Sequence, residues 1–368
     1  MKKKRFFKFV FRVFIGLFAI VLMITLPFLG LRVSDDFSFI SSKFVGSKSK
    51  YQGVIEVWNI DTFESGTNPK INYLNSVAQS FQKQNKGLYI LVRNLTEYEC
   101  LNLLSQGIKP DIFSCSYGIS NKIKEYVEPF SNADNLGVRD ELIQAGMYEN
   151  KLYALAWCFG VYCFISTDSH LSKAKVNLDE KIKLSDLSLS LGYELKLKNG
   201  TKIISSLSYG SNKYLLPKEA FLSYTNKELI VNSDYSLDKE SNNQSQYTAY
   251  SKFIAGESVV LLGTQRDIAR MENRLKNGKV SKVYYDYINT FTDLIQFSFL
   301  AKNDDLIKLE YCEKFAKFLT LNKNQKKISE IGMMPVTGQV DVYNSGIMLD
   351  ITLNLLGFTG LKRVFYEK

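Results

Sequence analysis

Val54-Ile55-Glu56-Val57-Trp58, Leu88-Tyr89-Ile90-Leu91-Val92 and Pro110-Asp111-Ile112-Phe113 decide the fold, because each reads as a short buried strand and a helix fits between each pair. Between the first two, apolar residues recur at Ile71, Leu74, Ala78 and Phe81, the spacing of one helix face, and Gly87 stands where a left-handed cap is expected. Between the second and third, Thr96 and Glu99 have the spacing of a capping box, and Gly107 closes that helix. Strand, helix, strand, helix, strand is the grammar of a parallel α/β sheet. In such a sheet ligands sit beyond the carboxyl ends of the strands, so Asn59 to Gly66 and Ser114 to Gly118 are expected to face one crevice.

Working outward, Lys151 to Thr167 is apolar and aromatic, with a charge only at its start, and reads as extended chain crossing from one domain to the next. Residues 171 to 245 are more polar and weakly periodic. Tyr247 to Ala255 is expected to be helical and Ser258 to Leu262 a buried strand. Gly263-Thr264 then turns into a helix carrying Ile268, Met271 and Leu275 on one face. Val280 to Tyr285 and Leu294 to Ala301 read as strands. Leu306, Leu309, Cys312, Ala316 and Leu319 mark an amphipathic helix, and the last helix is expected over Val342 to Leu356.

The 368 residues exceed one ordinary core and point to two domains. A net charge of +10 suggests a polyanion partner until its distribution is inspected. Seven of the 47 basic residues precede Asp35, leaving 40 against 37 acidic ones in the body of the chain, so nucleic acid is excluded as a partner. Behind that basic flank, Val13 to Leu31 holds 19 residues without a charge. At about 1.5 Å per residue it nearly spans a bilayer core of about 30 Å, which predicts a transmembrane anchor with the rest of the chain outside the cell. A cleaved signal peptide is the competing reading, with a shorter apolar core and an Ala-x-Ala site that is missing here. The expected organisation is residues 1–32 flank and anchor, 33–52 tether, 53–160 lobe 1 completed by about 295–330, and 161–294 lobe 2 completed by about 331–368.

Catalytic parts are scarce. His170 is the one histidine and is expected in a surface turn, which removes the parts for histidine-based metal sites and for most Ser-His or Cys-His catalysis. Asp35-Asp36 and Asp304-Asp305 read as solvated ends, and glycine-rich phosphate loops are missing. The five cysteines, Cys100, Cys115, Cys158, Cys163 and Cys312, sit mostly in apolar runs and read as small buried hydrophobes. No catalytic residue, cofactor or metal is expected.

Aromatic residues are the positive signal: 22 Tyr, 25 Phe and 2 Trp, several of them beside turn residues instead of within periodic core stripes. Ring faces with nearby amides and carboxylates suit sugars, whose C–H faces stack while their hydroxyls hydrogen bond. The candidate ligand residues are Asp61, Phe63, Glu64, Tyr117, Trp157, Tyr209, Arg266 and Tyr285. For each aromatic, ordinary core packing is the competing reading.

Taken in order, these stretches resemble a known family. Val54 to Trp58 with Phe63-Glu64-Ser65-Gly66, Ala78-Gln79-Ser80-Phe81, Asn85-Lys86-Gly87 and Pro110-Asp111-Ile112 are similar to the extracellular solute-binding proteins of ABC transporters, in the sugar-binding, maltodextrin-binding-protein-like branch. Tyr153 to Trp157 resembles that family's crossing strand, and Phe253 to Glu257 through Gly263-Thr264-Gln265-Arg266 resembles its second-lobe helix, strand and turn. Phe315 to Leu319 with Gln325 and Gly332 to Pro335 resembles its late helix and following loop. The resemblance implies a two-lobed, type II periplasmic-binding-protein-like α/β fold. It also implies a monomer that binds a carbohydrate or similar polar solute between its lobes and delivers it to ABC permease subunits without chemistry of its own. A membrane-tethered sensor of the same fold is the alternative, and a glycoside hydrolase a remote one. Two departures stand out: only 33 residues follow Pro335, and the anchor is an apolar helix where relatives in Gram-positive bacteria commonly carry a lipid.

Overall fold

The computed structural model describes residues 48–60, 68–132, 136–173, 187–190, 194–197, 203–205, 246–256, 260–289, 292–338, 340–355, 361 and 363–365. Its strands in chain order are β1 (Lys48–Ile60), β2 (Lys86–Leu95), β3 (Ile112–Cys115), β4 (Val127–Glu128), β5 (Ala154–Phe159), β6 (Tyr162–Thr167), β7 (Ile203–Ser205), β8 (Val260–Thr264), β9 (Val283–Tyr287) and β10 (Ile295–Ala301). Two short two-stranded pairings stand apart from these. The principal helices are α1 (Lys70–Gln84), α2 (Glu97–Ser105), α3 (Gln246–Ala255), α4 (Gln265–Lys276), α5 (Leu306–Leu319) and α6 (Ile347–Asn354).

The first sheet runs β2-β1-β3-β10-β4, with β5 paired to β10. β1 and β3 are parallel, with Val57 opposite Ile112 and Asn59 opposite Ser114, whereas β10 is antiparallel to β3, β4 and β5. The second sheet runs β7-β8-β6-β9, in which β7 and β8 are parallel and β6 is antiparallel to both its neighbours. The apolar stretch that begins at Lys151 therefore supplies β5 to one sheet and β6 to the other. All residues of β5 and β6 are buried, which is why the sequence there runs apolar without alternation.

Compactness divides the chain into a small unit, of which Lys48–Ile55 and Gln79–Leu91 are described, and a large unit of Glu56–Ala78 with Val92 onward. Within the small unit Phe81, Leu88 and Ile90 are buried, and the Asn85 side chain donates to the Phe81 carbonyl at 2.9 Å to close the helix end. The large unit holds the rest, including the described strand ends considered below.

Local signals explain the helix starts. Thr96 caps α2 with a full capping box, its hydroxyl accepting from the Glu99 N–H at 3.2 Å while Glu99 accepts from the Thr96 N–H at 2.7 Å. Thr264 and Asp267 do the same for α4, and Asp305 accepts from the Ile307 and Lys308 N–H groups at 3.0 Å to start α5. β1 extends through Asn59 and Ile60, which the sequence reading assigns to the loop. The final helix begins at Ile347, not Val342, because Gly346 adopts φ +84° and turns the chain just before it.

Three sequence expectations on the wider chain meet the structure as follows. The apolar stretch Val13 to Leu31 lies outside the described residues, and among those described no helix is long and apolar enough to cross a membrane. All five cysteines are free and buried. His170, expected in a surface turn, is instead 8% exposed, stacked on Phe253 with ring centroids 4.3 Å apart, and both its ring nitrogens have partners, the Thr167 hydroxyl and the Phe253 carbonyl.

Candidate functional site

The carboxyl ends of β1 and β3 carry a row of polar side chains inside an apolar sheet. Asn59, Ser114 and Ser298 stand opposite one another across three strands and are buried, as is Gln296. The Asn59 Oδ1 accepts from Ser114 Oγ at 3.0 Å and from Gln296 Nε2 at 3.2 Å, and its Nδ2 donates to Asn94 Oδ1 at 2.6 Å. Gln296 Nε2 also reaches Ser114 Oγ at 3.2 Å and the Ile60 carbonyl at 3.4 Å. Burying a polar group is costly unless it is hydrogen-bonded, and Asn59, Ser114 and Gln296 offset part of that cost by bonding to one another, whereas Ser298 Oγ has no partner. Gln296 Oε1 has no partner. Its neighbour in the row, Ile60, is the last described residue before the acidic and aromatic segment 61–67.

Among the described residues the chain passes directly from the first sheet to the second at the β5–β6 junction. Gly160 N–H donates to the Leu294 carbonyl at 2.7 Å and the Gly160 carbonyl accepts from Thr292 Oγ1 at 2.6 Å, which ties in the β9–β10 connection. On its other side Phe159 pairs with Met334, in the segment after α5. Beside the first of these junctions Tyr162 donates to Asp293 Oδ1 at 2.5 Å. Ser116, one residue beyond β3, donates to the Asp293 carbonyl at 3.4 Å.

Of the expected ligand residues, Asp61, Phe63, Glu64 and Tyr209 lie outside the described residues. Tyr117 follows β3, is half-buried, and meets Phe297 edge to face with centroids 5.3 Å apart. Burial first, and then the Asp293 carboxylate, push its phenol well above the ordinary range. Trp157 is wholly buried. It stacks on Tyr73 at 5.1 Å with the planes 5° apart, and its Nε1 donates to Ser114 Oγ at 3.2 Å, so the structure places it in the core beneath the strand ends. Arg266, in the first turn of α4, is 2% exposed and its guanidinium donates to the Asn68 carbonyl. Tyr285, in β9, donates its hydroxyl to Asp350 Oδ2 on α6 at 2.6 Å. Ser114 thus joins Trp157 to the polar row three residues before Tyr117, while Arg266 and Tyr285 belong to elements of the second sheet.

Asn59, Ser114, Gln296, Tyr162 and Asp293 are absent from the sequence-based set. A signal for three of them exists: Asn59 and Ser114 interrupt apolar strands, and Ile295 to Leu300 alternates Gln and Ser with Phe although both faces are buried. Among the described residues no group of His, Cys, Asp and Glu is arranged to hold a metal ion. Burial pushes the thiol of Cys100 up to about 11, and it raises those of Cys115, Cys163 and Cys312 as well, away from the reactive thiolate.

Solved structures share this architecture. A chitin oligosaccharide binding protein matches with a TM-score of 0.57 at 13% identity, over 85% of this chain and 88% of that one. The fold is the two-lobed, periplasmic-binding-protein-like one. The maltose/maltodextrin-binding domain MalE from Bdellovibrio bacteriovorus, bound to maltotriose, matches with a TM-score of 0.51 at 13% identity, over 82% of this chain and 87% of that one. Thiaminase I from Bacillus thiaminolyticus matches with a TM-score of 0.51 at 14% identity, over 77% of this chain and 86% of that one, so the fold also hosts an enzyme. No family model and no curated protein matches the sequence.

Proposed function

We propose that this chain is the extracellular substrate-binding component of an ABC importer, taking a carbohydrate or similar polar solute between its lobes and delivering it to membrane permease subunits. One observation carries the reading: the described chain has the two-sheet fold of neighbours named for binding chitin oligosaccharide and maltotriose, and its polar row lies at the carboxyl ends of the parallel strands β1 and β3. That is where an open α/β sheet receives ligands. Tyr117 and Asp293, both half-buried, supply a ring and a carboxylate at the same ends.

Binding without turnover is favoured over an enzyme of the same fold on chemical grounds. Four of the five thiols are held protonated by burial, and the single histidine is buried with both nitrogens engaged. Those four thiols are therefore not activated nucleophiles, and the imidazole is not free to act as a base. The finer proposals are that Val13 to Leu31 remains uncleaved as a membrane anchor and that the solute is a sugar. Native mass spectrometry of the purified full chain tests the second directly. Saturable mass additions are expected from a panel containing maltotriose and chitin oligosaccharides, and a panel of sugars, amino sugars and polyols that leaves the mass unchanged overturns it. The intact mass of the mature chain decides whether the anchor is retained.

A further inference from the structure

We infer that Val364 and Phe365 are positioning residues for Tyr117, fastening the short turn that sets its ring just beyond β3; this deepens the proposed binding function and rests on it. Tyr117 comes two residues after Cys115, the last of β3, and is followed by Gly118 at φ +91° and then by the one-turn helix Ser120–Ile123. This stretch does not hold itself in place. Glycine is free to take many backbone conformations, and a helix of a single turn is well below the length at which helices persist alone. Ile119, at the cap position, makes no side-chain hydrogen bond to the turn it precedes. The direction of the Tyr117 ring therefore depends on what that turn is fastened to.

Val364 supplies the fastening through both of its backbone polar groups. Its carbonyl accepts from Ser120 Oγ at 2.7 Å, and its N–H donates at 2.7 Å to the carbonyl of Ala145, the last residue of the helix Asp140–Ala145. Ser120 and Val364 are both wholly buried, so water does not compete for the bond between them. One residue thus ties the turn after Tyr117 to a helix packed elsewhere in the same unit, and losing the Ser120 hydroxyl would leave a buried carbonyl without its donor.

Phe365 reaches the same ring along the sheet. Phe297 and Phe299 lie two apart in β10 and so share one face of it. Tyr117 meets Phe297 edge to face at 5.3 Å, Phe297 and Phe299 are 6.1 Å apart, and Phe299 meets Phe365 at 6.1 Å, which makes one line of rings from Tyr117 to Phe365. The line is closed at its far end, because Tyr148 and Tyr153 stand edge to face on Phe365 at 5.4 and 5.5 Å. Lys124, directly after the one-turn helix, brings its Nζ to 5.7 Å from the Phe365 ring centre, so Phe365 bears on both ends of the stretch it steadies. It is 4% exposed, and emptying its site would leave a cavity beside Phe299 into which the line of rings can relax.

The test uses the full chain without sugar and reads nitration of single tyrosines by tetranitromethane at pH 8, located by peptide mass spectrometry. In the wild type Tyr117 is expected to react slowly, since burial and Asp293 oppose its phenolate. Ser120→Ala, the mild variant, and Phe365→Ala are each expected to speed nitration of Tyr117 at least fivefold, while Tyr73, buried under Trp157 away from the turn, keeps its wild-type rate. With maltotriose or a chitin oligosaccharide, whichever the wild type binds, both variants are expected to show at least a threefold higher Kd by calorimetry. Unchanged nitration of Tyr117 in both variants, an equal rise at Tyr73, or wild-type affinity in a variant whose Tyr117 is loosened overturns the inference. Nitration is read without solute, so a wild-type chain that binds no sugar defeats the proposed function while the nitration rates still decide whether Val364 and Phe365 hold Tyr117.

Discussion

Trp157 and Tyr73 lie ring on ring, with centroids 5.1 Å apart and planes within 5° of parallel, and no part of the tryptophan reaches solvent. The ring face that sequence reasoning offers to a sugar is therefore covered by α1. Trp157→Ala is expected to lower the unfolding free energy by about 3–5 kcal/mol, the usual cost of emptying a large aromatic site. Urea denaturation measures it. Trp157→Phe keeps most of the contact and loses the hydrogen bond to Ser114, so it is expected to cost clearly less.

The polar row gives a second prediction. Replacing Asn59 with Leu removes the acceptor of Ser114 and Gln296 and the donor to Asn94, all around a fully buried position. A loss of about 1–3 kcal/mol is expected for each group left unsatisfied. A double-mutant cycle with Gln296→Leu is expected to show coupling of about 0.5–3 kcal/mol, because the two side chains share a bond. Additive losses would show that the row is a set of independent contacts.

Most of the fold is legible in the sequence, and the part that is not has an identifiable physical cause. Apolar periodicity and caps locate β1, α1, β2, α2 and β3, because each element there has one buried face and an explicit start or stop such as Thr96 with Glu99. They also locate the crossing at β5–β6, whose unbroken apolar run reflects burial on every side. Periodicity fails where a turn residue overrides it: Gly346 at φ +84° delays α6 beyond the expected Val342. The site is less legible than the fold. Whether Trp157 faces a ligand or Tyr73 depends on α1, whose packing no local pattern encodes, and the fastening of Ser120 depends on Val364, 244 positions away.

Histidine supplies a prediction on pH. Burial, the largest influence, together with the nearby Lys173 and Arg274 charges, holds the His170 pKa below its ordinary 6.5, despite the opposing pull of the Phe253 carbonyl and Asp168. A lowered value in the folded chain means that the unfolded chain takes up the proton first. Stability present above pH 6.5 is therefore lost as the pH falls from that value toward the folded pKa. Thermal melts between pH 7.5 and 5 are expected to show this slope in the wild type and a shallower one in His170→Gln. Equal slopes would mean that the imidazole is not held neutral.

The cysteines make a prediction on reactivity. All five are buried and free, and burial raises the thiols of Cys100, Cys115, Cys163 and Cys312. The native chain is expected to resist iodoacetamide at pH 8, and in denaturant to take up five adducts by mass. Rapid native labelling of any one would mark an opening that the folded structure does not contain.

Tyr117 is the residue on which stability and binding separate. Its ring is half-buried against Phe297, just beyond β3, and Asp293 lies close enough to raise its phenol, so it combines an accessible aromatic edge with a nearby carboxylate. Trp157, by contrast, is enclosed. For an aromatic anchor in a binding site, truncation costs about 1–3 kcal/mol of affinity, which is about 5- to 150-fold in Kd. Tyr117→Ala is expected to weaken calorimetric binding of the sugar identified by mass spectrometry by that factor, while moving the urea midpoint less than Trp157→Ala does. Trp157→Phe is expected to do the reverse, lowering the midpoint with little change in affinity. If Tyr117→Ala leaves affinity intact and Trp157→Phe abolishes it, the ligand does not lie at the end of β3, and the enclosed tryptophan must open to receive it.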